Sequence, residues 1–399
     1  MGEKLNRREF LASSACLLGA AAFAQRTPQR APQRTIVLMF DGFGLEYLDQ
    51  SDMPVLARWR EHGLFRRVKG TMPSVTNTNN ASICCGVLPE QHGITGNSYF
   101  DERSGREEYM ETADLLLAPT LFERAKKQGV SSALLSSKKK TTTLLSRGAD
   151  LVLSAETPTQ DWVQRLGPAP DIYSREINYW LMAAAIDLLK SRRDIGCLYI
   201  HTTDYPMHTW PPEAKESKEH LARLDELFGE AEAAAPDAAF LVTADHGTNH
   251  KTLCWDLGKA CAKRGTPIRI AISAERDRYP KHHRGHGGVA WVYGNRSQDL
   301  DAVSRTLSGL KGVEAVLTRS EASSRYHLMA SRIGDLAVLG DRETVFGDLE
   351  SESEALPEEY RSHGSLHEMG VPLIIHNAGA RLSSEEFQYN WQLARWLYR

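Results

Sequence analysis

Short continuous apolar runs recur along the chain, separated by stretches with helical periodicity. The runs predict strands at 35–40, 132–136, 150–154, 196–202, 238–243, 268–274, 289–293, 313–317, 336–339 and 371–376. The periodic stretches predict helices at 44–63, 120–128, 174–192, 215–233, 300–310 and 383–398. Strands that are apolar on both faces and alternate with helices belong to a parallel sheet covered on both sides. The predicted fold class is therefore α/β, a mostly parallel central sheet flanked by helices. From about 250 to 335 turns are denser and basic residues more frequent, which predicts a smaller inserted α+β lobe. The main α/β core would then comprise 35–249 and 336–399.

The chain has 399 residues, 41% hydrophobic and 25% charged, enough for a large buried core. A formal net charge of -3 and no basic face argue against binding a nucleic-acid polymer. Asn6-Arg7-Arg8-Glu9-Phe10-Leu11 reads as a twin-arginine signature. An apolar stretch to Phe23 and the small-x-small site Ala22-Phe23-Ala24 follow it, so 1–24 is expected to be a signal peptide and 25–34 a linker. The stretch is too short to span a bilayer, so the mature protein is expected to be periplasmic or otherwise exported, with no membrane span. Cys16 lies in the signal. Cys84 and Cys85 are adjacent, and Cys254 could pair with Cys261 only if a loop joins them, so no disulfide framework is expected.

Chemistry concentrates where the predicted strands end. Asp41 follows the first run, and Asp245 and His246 follow the run 238–242. Asp204 and His208 lie four residues apart, so one turn can aim both at one ion. The carboxyl ends of parallel strands are where an open α/β sheet places its ligands. A mixed Asp/His set suits zinc or another borderline divalent metal. In Met72-Pro73-Ser74-Val75-Thr76-Asn77, Pro73 ends one element and the Asn/Ser/Thr cluster suits a helix start. Such a cluster alone would be a cap. Beside metal motifs, a hydroxyl at a helix N-terminus can serve as a nucleophile.

These segments resemble the alkaline phosphatase superfamily on its nucleotide pyrophosphatase/phosphodiesterase branch, and within it the phosphonoacetate hydrolases. The likeness runs over Phe40-Asp41-Gly42, Pro73-Ser74-Val75-Thr76-Asn77, Gln91-His92-Gly93-Ile94, Gly96-Asn97, Asp171-Ile172-Tyr173-Ser174, Thr202-Thr203-Asp204-Tyr205, Thr243-Ala244-Asp245-His246-Gly247 and Arg361-Ser362-His363-Gly364. It implies an alkaline-phosphatase-like core and two divalent metal ions, zinc by ligand type. Asp204, His208 and His363 would hold one ion. Asp41, Thr76, Asp245 and His246 would hold the other, with Thr76 the nucleophile and Asn97 on a phosphoryl oxygen. His367 competes with His363, and the His-Gly pair favours His363. For His250, His282, His283, His286 and His376 a surface or core role is expected, and the basic stretch 281–286 reads as a solvated loop, with a lining of the site's entrance as the alternative.

The substrate reading turns on Ser136-Ser137-Lys138-Lys139-Lys140-Thr141, at the end of a strand. By the same resemblance Lys138 and Lys140 would clamp a substrate carboxylate while the metals hold a phosphonate. That implies hydrolysis of phosphonoacetate to acetate and phosphate through a phospho-threonine. The alternative is a periplasmic type I phosphodiesterase or nucleotide pyrophosphatase, for which Trp210, Tyr205, Tyr99 and Phe100 could supply an aromatic slot. Either way the expected partner is a small phosphorus-containing substrate. The sequence leaves the oligomeric state open.

Overall fold

Thr35–Met39 is buried along its whole length and sits between two parallel neighbours, Ile195–His201 and Ala239–Thr243. The computed structural model describes residues 34–278, 283–295, 300–378 and 387–398. The expected signal peptide and all but the last residue of the expected linker lie outside these.

The central sheet has seven strands in the order Leu64–Lys69, Gly370–His376, Ala239–Thr243, Thr35–Met39, Ile195–His201, Ser131–Ser136 and Leu151–Ser154. Only Gly370–His376 runs against the rest. Helices cover both faces, as strands apolar on both sides require. Glu176–Ser191 and Lys215–Ala234 bury Leu181, Leu188, Leu221, Leu224 and Phe228 in the same cluster as Val37, Ile200 and Val242.

A four-stranded antiparallel sheet follows, in the order Ile270–Ser273, Val289–Tyr293, Leu336–Gly340 and Val313–Thr318. Its residues alternate between two apolar clusters. Trp291, Ala337 and Leu339 enter one, and Ala290, Val292, Leu336 and Val338 enter the other. The strand at 336–340, expected in the core, therefore belongs to this second sheet. Buried on both faces, it looks in sequence like any core strand. From the last third of the chain the central sheet takes only Gly370–His376.

Three further elements differ from expectation. The helix expected at 44–63 is two, Leu45–Gln50 and Pro54–His62, because Pro54 starts a new helix where it cannot continue the old one. The edge strand Leu64–Lys69 carries Arg66, Arg67 and Lys69 and has no apolar run to announce it. Of the helix expected at 383–398, residues 383–386 lie outside the described segments, and Asn390–Trp396 is a 3-10 helix. Cys84, Cys85, Cys197, Cys254 and Cys261 are all free and buried.

Candidate active site

Three adjacent strands deliver three carboxylates to one edge of the central sheet: Asp41, Asp204 and Asp245. Gly42 makes their approach possible. It has φ +72, and a Cβ there would lie 2.9 Å from Asp204 Cβ. Its N–H donates to Asp245 Oδ1 at 3.0 Å. Asp204 precedes the short helix Tyr205–Thr209, and one turn later His208 Nε2 stands 2.9 Å from Asp204 Oδ2. His363 arrives from the segment after Arg361–Ser362, which pairs with Asn249–His250 beyond the Asp245-His246 turn.

Thr76 is the first residue of the helix Thr76–Cys85, every residue of which is buried. Its sequence, TNTNNASICC, has weak helix propensity, and its asparagines are held by specific bonds. Asn79 Oδ1 accepts from Thr71 N–H at 2.7 Å, and Asn80 Oδ1 accepts from the Tyr199 hydroxyl at 2.8 Å. The helix stops at Gly86, φ +67, whose N–H donates to Ser82 O. Thr76 Oγ1 lies 3.3 Å from His246 Nε2.

The imidazoles share one arrangement. Nδ1 of His208, His246 and His363 each faces a main-chain carbonyl, of Arg361 at 2.8 Å, Gly247 at 3.0 Å and Ser74 at 2.9 Å. Each therefore turns Nε2 toward the carboxylates, as metal-binding histidines do. His246 and His363 stack with centroids 3.6 Å apart. Ligand-type atoms of Asp204, His246 and His363 lie within 4.8 Å of one another, as do those of Asp41, His201 and Asp245. His246 Nε2 lies between the two groups: besides Asp204 and His363 it stands 3.6 Å from Asp41 Oδ1 and 3.5 Å from Asp245 Oδ2, and His208 joins the first group through its bond to Asp204.

Charge is densely packed here. Burial and Asp204 work against the Asp41 carboxylate, but the Lys138 ammonium and the His201 bond hold it below the usual range. Burial also opposes Asp204, where Lys138 and His208 prevail and lower it. Asp245, with burial and Asp41 against it, is pushed up. Burial and the His363 charge bring His246 down to about 3. His363 resists burial through Glu275 and Asp204 and rises to about 9. Asp41 Oδ1, Asp245 Oδ2 and His363 Nε2 are buried, yet no hydrogen bond reaches them. Buried oxygens and an imidazole nitrogen that converge without donors suit divalent cations, so the donor set fits two metal ions of the type expected.

A cavity opens beside these groups, with about 640 Å³ of empty volume including its mouth. Thr76, Asn97, Lys138, Lys140, Tyr173, Glu275, Asp277 and His283 line it. Lys138 Nζ donates to Asp41 Oδ2 at 2.6 Å and to Asp204 Oδ1 at 2.8 Å. Lys140 Nζ donates to Asp277. Both lysines thus face the cavity, each held by a carboxylate. Asn97 Nδ2 donates to Glu275 Oε2 at 3.3 Å.

The structure brings together Asp41, Thr76, Asn97, Lys138, Lys140, Asp204, His208, Asp245, His246 and His363. It does not bring His367, which pairs with Glu314 at 2.7 Å and is partly exposed. His376 is half-buried, stacked on Trp59 and 2.9 Å from Glu232. The expectation of a solvated loop at 281–286 fails for His283 and His286, which are buried; His283 stacks on His208 at 4.7 Å and lines the cavity. Lys281 and His282 lie outside the described residues. Tyr205 and Trp210 form an edge-on pair that Tyr173 joins, whereas Phe100 packs against Tyr293 in the second sheet's core. Tyr99 lines a different cleft, with Arg106 and Arg278. His201 and Glu275 also face the site without standing out in the sequence. His201 ends an apolar strand and Glu275 follows another, with no motif to mark either.

The chain matches the type I phosphodiesterase / nucleotide pyrophosphatase family over residues 35–366. Among characterised relatives, bovine bis(5'-adenosyl)-triphosphatase ENPP4 is 25% identical over 204 residues, 50% of this chain and 43% of the relative. Venom phosphodiesterase of Naja atra is 24% identical over 220 residues, 53% of this chain and 25% of the relative. The chain thus spans less than half the length of these relatives. Among solved structures, phosphonoacetate hydrolase from Sinorhizobium meliloti 1021 in complex with phosphonoformate superposes with a TM-score of 0.84 at 29% identity, over 92% of this chain and 95% of that one. Murine ectonucleotide pyrophosphatase / phosphodiesterase 5 in complex with AMP shares the fold, with a TM-score of 0.66 at 16% identity over 91% and 93%.

Proposed function

Since the chain belongs to the type I phosphodiesterase / nucleotide pyrophosphatase family, we propose that it is a hydrolase and that it cleaves phosphonoacetate to acetate and phosphate. The observation that carries this reading is that the Thr76 hydroxyl and the Lys138 and Lys140 ammoniums line one cavity. A similarity to phosphonoacetate hydrolase that covers nearly the whole chain supports it.

Asp204, His208 and His363 would hold one zinc ion, and Asp41, Thr76, Asp245 and His246 the other. Bound there, the ions would supply Lewis acidity to the phosphonate oxygens and favour the ionised hydroxyl. Thr76 Oγ1 attacks phosphorus and the P–C bond breaks. Its electron pair passes to the methylene carbon, beside the substrate carboxylate. Lys138 and Lys140 hold that carboxylate, so the developing enolate-like charge lies on oxygens already paired with ammonium groups. A proton from water completes acetate, and the hydroxide left behind takes up the proton that Thr76 released on attack. A second water then attacks phosphorus, releasing phosphate and returning the proton to Thr76. Asn97 contributes its amide N–H to a phosphoryl oxygen.

One observation favours a second reading. Tyr173 lines the cavity and continues into Tyr205 and Trp210, an aromatic wall against which a nucleoside could rest. Purified zinc-loaded protein assayed in parallel on phosphonoacetate, bis-p-nitrophenyl phosphate and a dinucleotide separates the two. The phosphonate reading expects kcat/KM to be highest on phosphonoacetate. No turnover of it, with rapid diester cleavage, hands the site to the phosphodiesterase reading. We further propose export through the twin-arginine route, with Arg7 and Arg8 as its signal.

A further inference from the structure

We propose that His201 is a positioning residue: it fixes the orientation of Asp41 and links that carboxylate to the lysine-bearing loop. The observation is a chain of hydrogen bonds across three neighbouring strand ends. Lys138 N–H donates to Ser136 Oγ at 3.0 Å. Ser136 Oγ lies 2.8 Å from His201 Nδ1. His201 Nε2 lies 3.1 Å from Asp41 Oδ2. Ser136, His201 and Asp41 are each 0% exposed. The Asp41 carboxylate can only accept, so the ring proton sits on Nε2, aimed at Asp41, and Nδ1 of the neutral ring accepts the Ser136 hydroxyl proton.

The register explains why these residues meet. His201 pairs with Ser136 on one side and Met39, two residues before Asp41, on the other. The loop closes on itself, because the Lys138 ammonium also donates to Asp41 Oδ2. One residue thus grips Asp41 twice, directly through its side chain and indirectly through its own amide, Ser136 and His201.

His201 differs from the three histidines assigned as ligands. Each of those spends Nδ1 on a main-chain carbonyl. His201 has a side-chain partner at both nitrogens, the pattern of a group that orients a ligand. The inference rests on the two-metal reading, since it takes Asp41 as a ligand, and does not depend on which substrate is cleaved.

The test is zinc titration of the full-length protein against a chromophoric chelator, with bound zinc counted by mass spectrometry. Wild type should bind two ions. His201→Leu should still bind two, one of them roughly 10–100-fold more weakly. His201→Gln, whose amide N–H can reach toward Asp41 as Nε2 does, should recover most of that loss. Ser136→Ala should weaken the same ion by a smaller factor, and it serves where His201→Leu does not fold, as judged by melting of the metal-free protein. Unchanged zinc affinity in His201→Leu, or in Ser136→Ala when it is the variant used, overturns the inference. So does the loss of one ion outright in both His201 variants, which would make the ring itself a ligand. A wild type that binds no zinc sinks the two-metal reading as well; two ions with indifferent variants sink this inference alone.

Discussion

The Lys138 ammonium bonds to Asp41 at 2.6 Å, joining a residue proposed to read the substrate to one proposed to hold a metal. The same ammonium reaches Asp204 at 2.8 Å, and both carboxylates are almost wholly buried. Without it the two buried carboxylates would face each other with only imidazole partners, His201 on Asp41 and His208 on Asp204. Lys138→Met is therefore expected to destabilise the metal-free protein by about 3–5 kcal/mol, the usual cost of removing one partner from a buried ion pair. Zinc should restore much of that stability, since it brings the missing positive charge. Denaturant unfolding with and without chelator measures both. An equal loss in the two conditions would show that the lysine matters for packing and not for charge.

Asp277 offers Lys140 the same group that a carboxylate substrate would offer. Asp277→Asn should release Lys140, and KM for phosphonoacetate should fall several-fold. Lys140→Met should raise KM by roughly one to two orders of magnitude, the worth of one charge-assisted hydrogen bond of about 1.5–3 kcal/mol. Neither change should alter cleavage of a neutral-ended diester. Parallel effects on both substrates would place the pair in the architecture of the loop.

Much of this arrangement was legible in the sequence, and the exceptions have physical reasons. The inner strands Thr35–Met39, Ile195–His201 and Ala239–Thr243 were readable because burial on both faces leaves an unbroken apolar run, and each of these runs stops just short of a carboxylate that carries chemistry. That same blindness to faces misplaced 336–340, since a run buried on both sides does not say which sheet it joins. The helix behind Thr76 could be anticipated at its start, where Pro73 and the Asn/Ser/Thr cluster stand. Its body could not, because a helix buried all round and filled with hydrogen-bonded asparagines has no apolar stripe. Asp41, Asp204 and Asp245 were visible because motifs flank them. His201 was not, because a histidine at the end of an apolar strand reads as a core residue until its neighbours across the sheet are known.

Acid should unfold the protein partly through buried histidines outside the proposed ligand set. Burial, with a smaller push from Arg332 and Arg175 respectively, brings His92 and His220 down to about 3. Both stay neutral in the folded chain while the unfolded chain takes up protons below about 6.5. Their contribution is complete above that value and is lost as pH falls toward 3, by up to about 1.4 kcal/mol per pH unit for each ring. His220→Gln should flatten the fall in unfolding free energy between about pH 6 and pH 5, above most carboxylate titrations. An unchanged slope would mean the ring is protonated without cost.

Export can be tested apart from catalysis. Replacing both Arg7 and Arg8 by lysine keeps the charge and removes the guanidinium pair that the twin-arginine system reads. The uncleaved precursor should accumulate in the cytoplasm, with zinc binding intact. Normal appearance of processed protein outside the cytoplasm would rule out this route.

Thr76 carries the sharpest expectation, because two roles converge on one oxygen. As the first residue of a ten-residue helix it sits at the positive end of the helix dipole, and its hydroxyl is 3.3 Å from His246 Nε2. Thr76→Ala leaves the helix and the Asp/His ligands in place, so both zinc ions should stay bound and the melting temperature should change little. Turnover should nonetheless fall roughly 10⁴-fold or more, as when a covalent nucleophile is deleted from a site whose binding groups survive. Thr76→Ser keeps the hydroxyl but loses the methyl that restricts χ1, so a loss of only about tenfold is expected. Rapid quenching should trap a phosphorylated residue 76 in wild type and Thr76→Ser, and none in Thr76→Ala. Near-native turnover in Thr76→Ala would make water the direct attacker at phosphorus and leave the threonine only a place among the ligands.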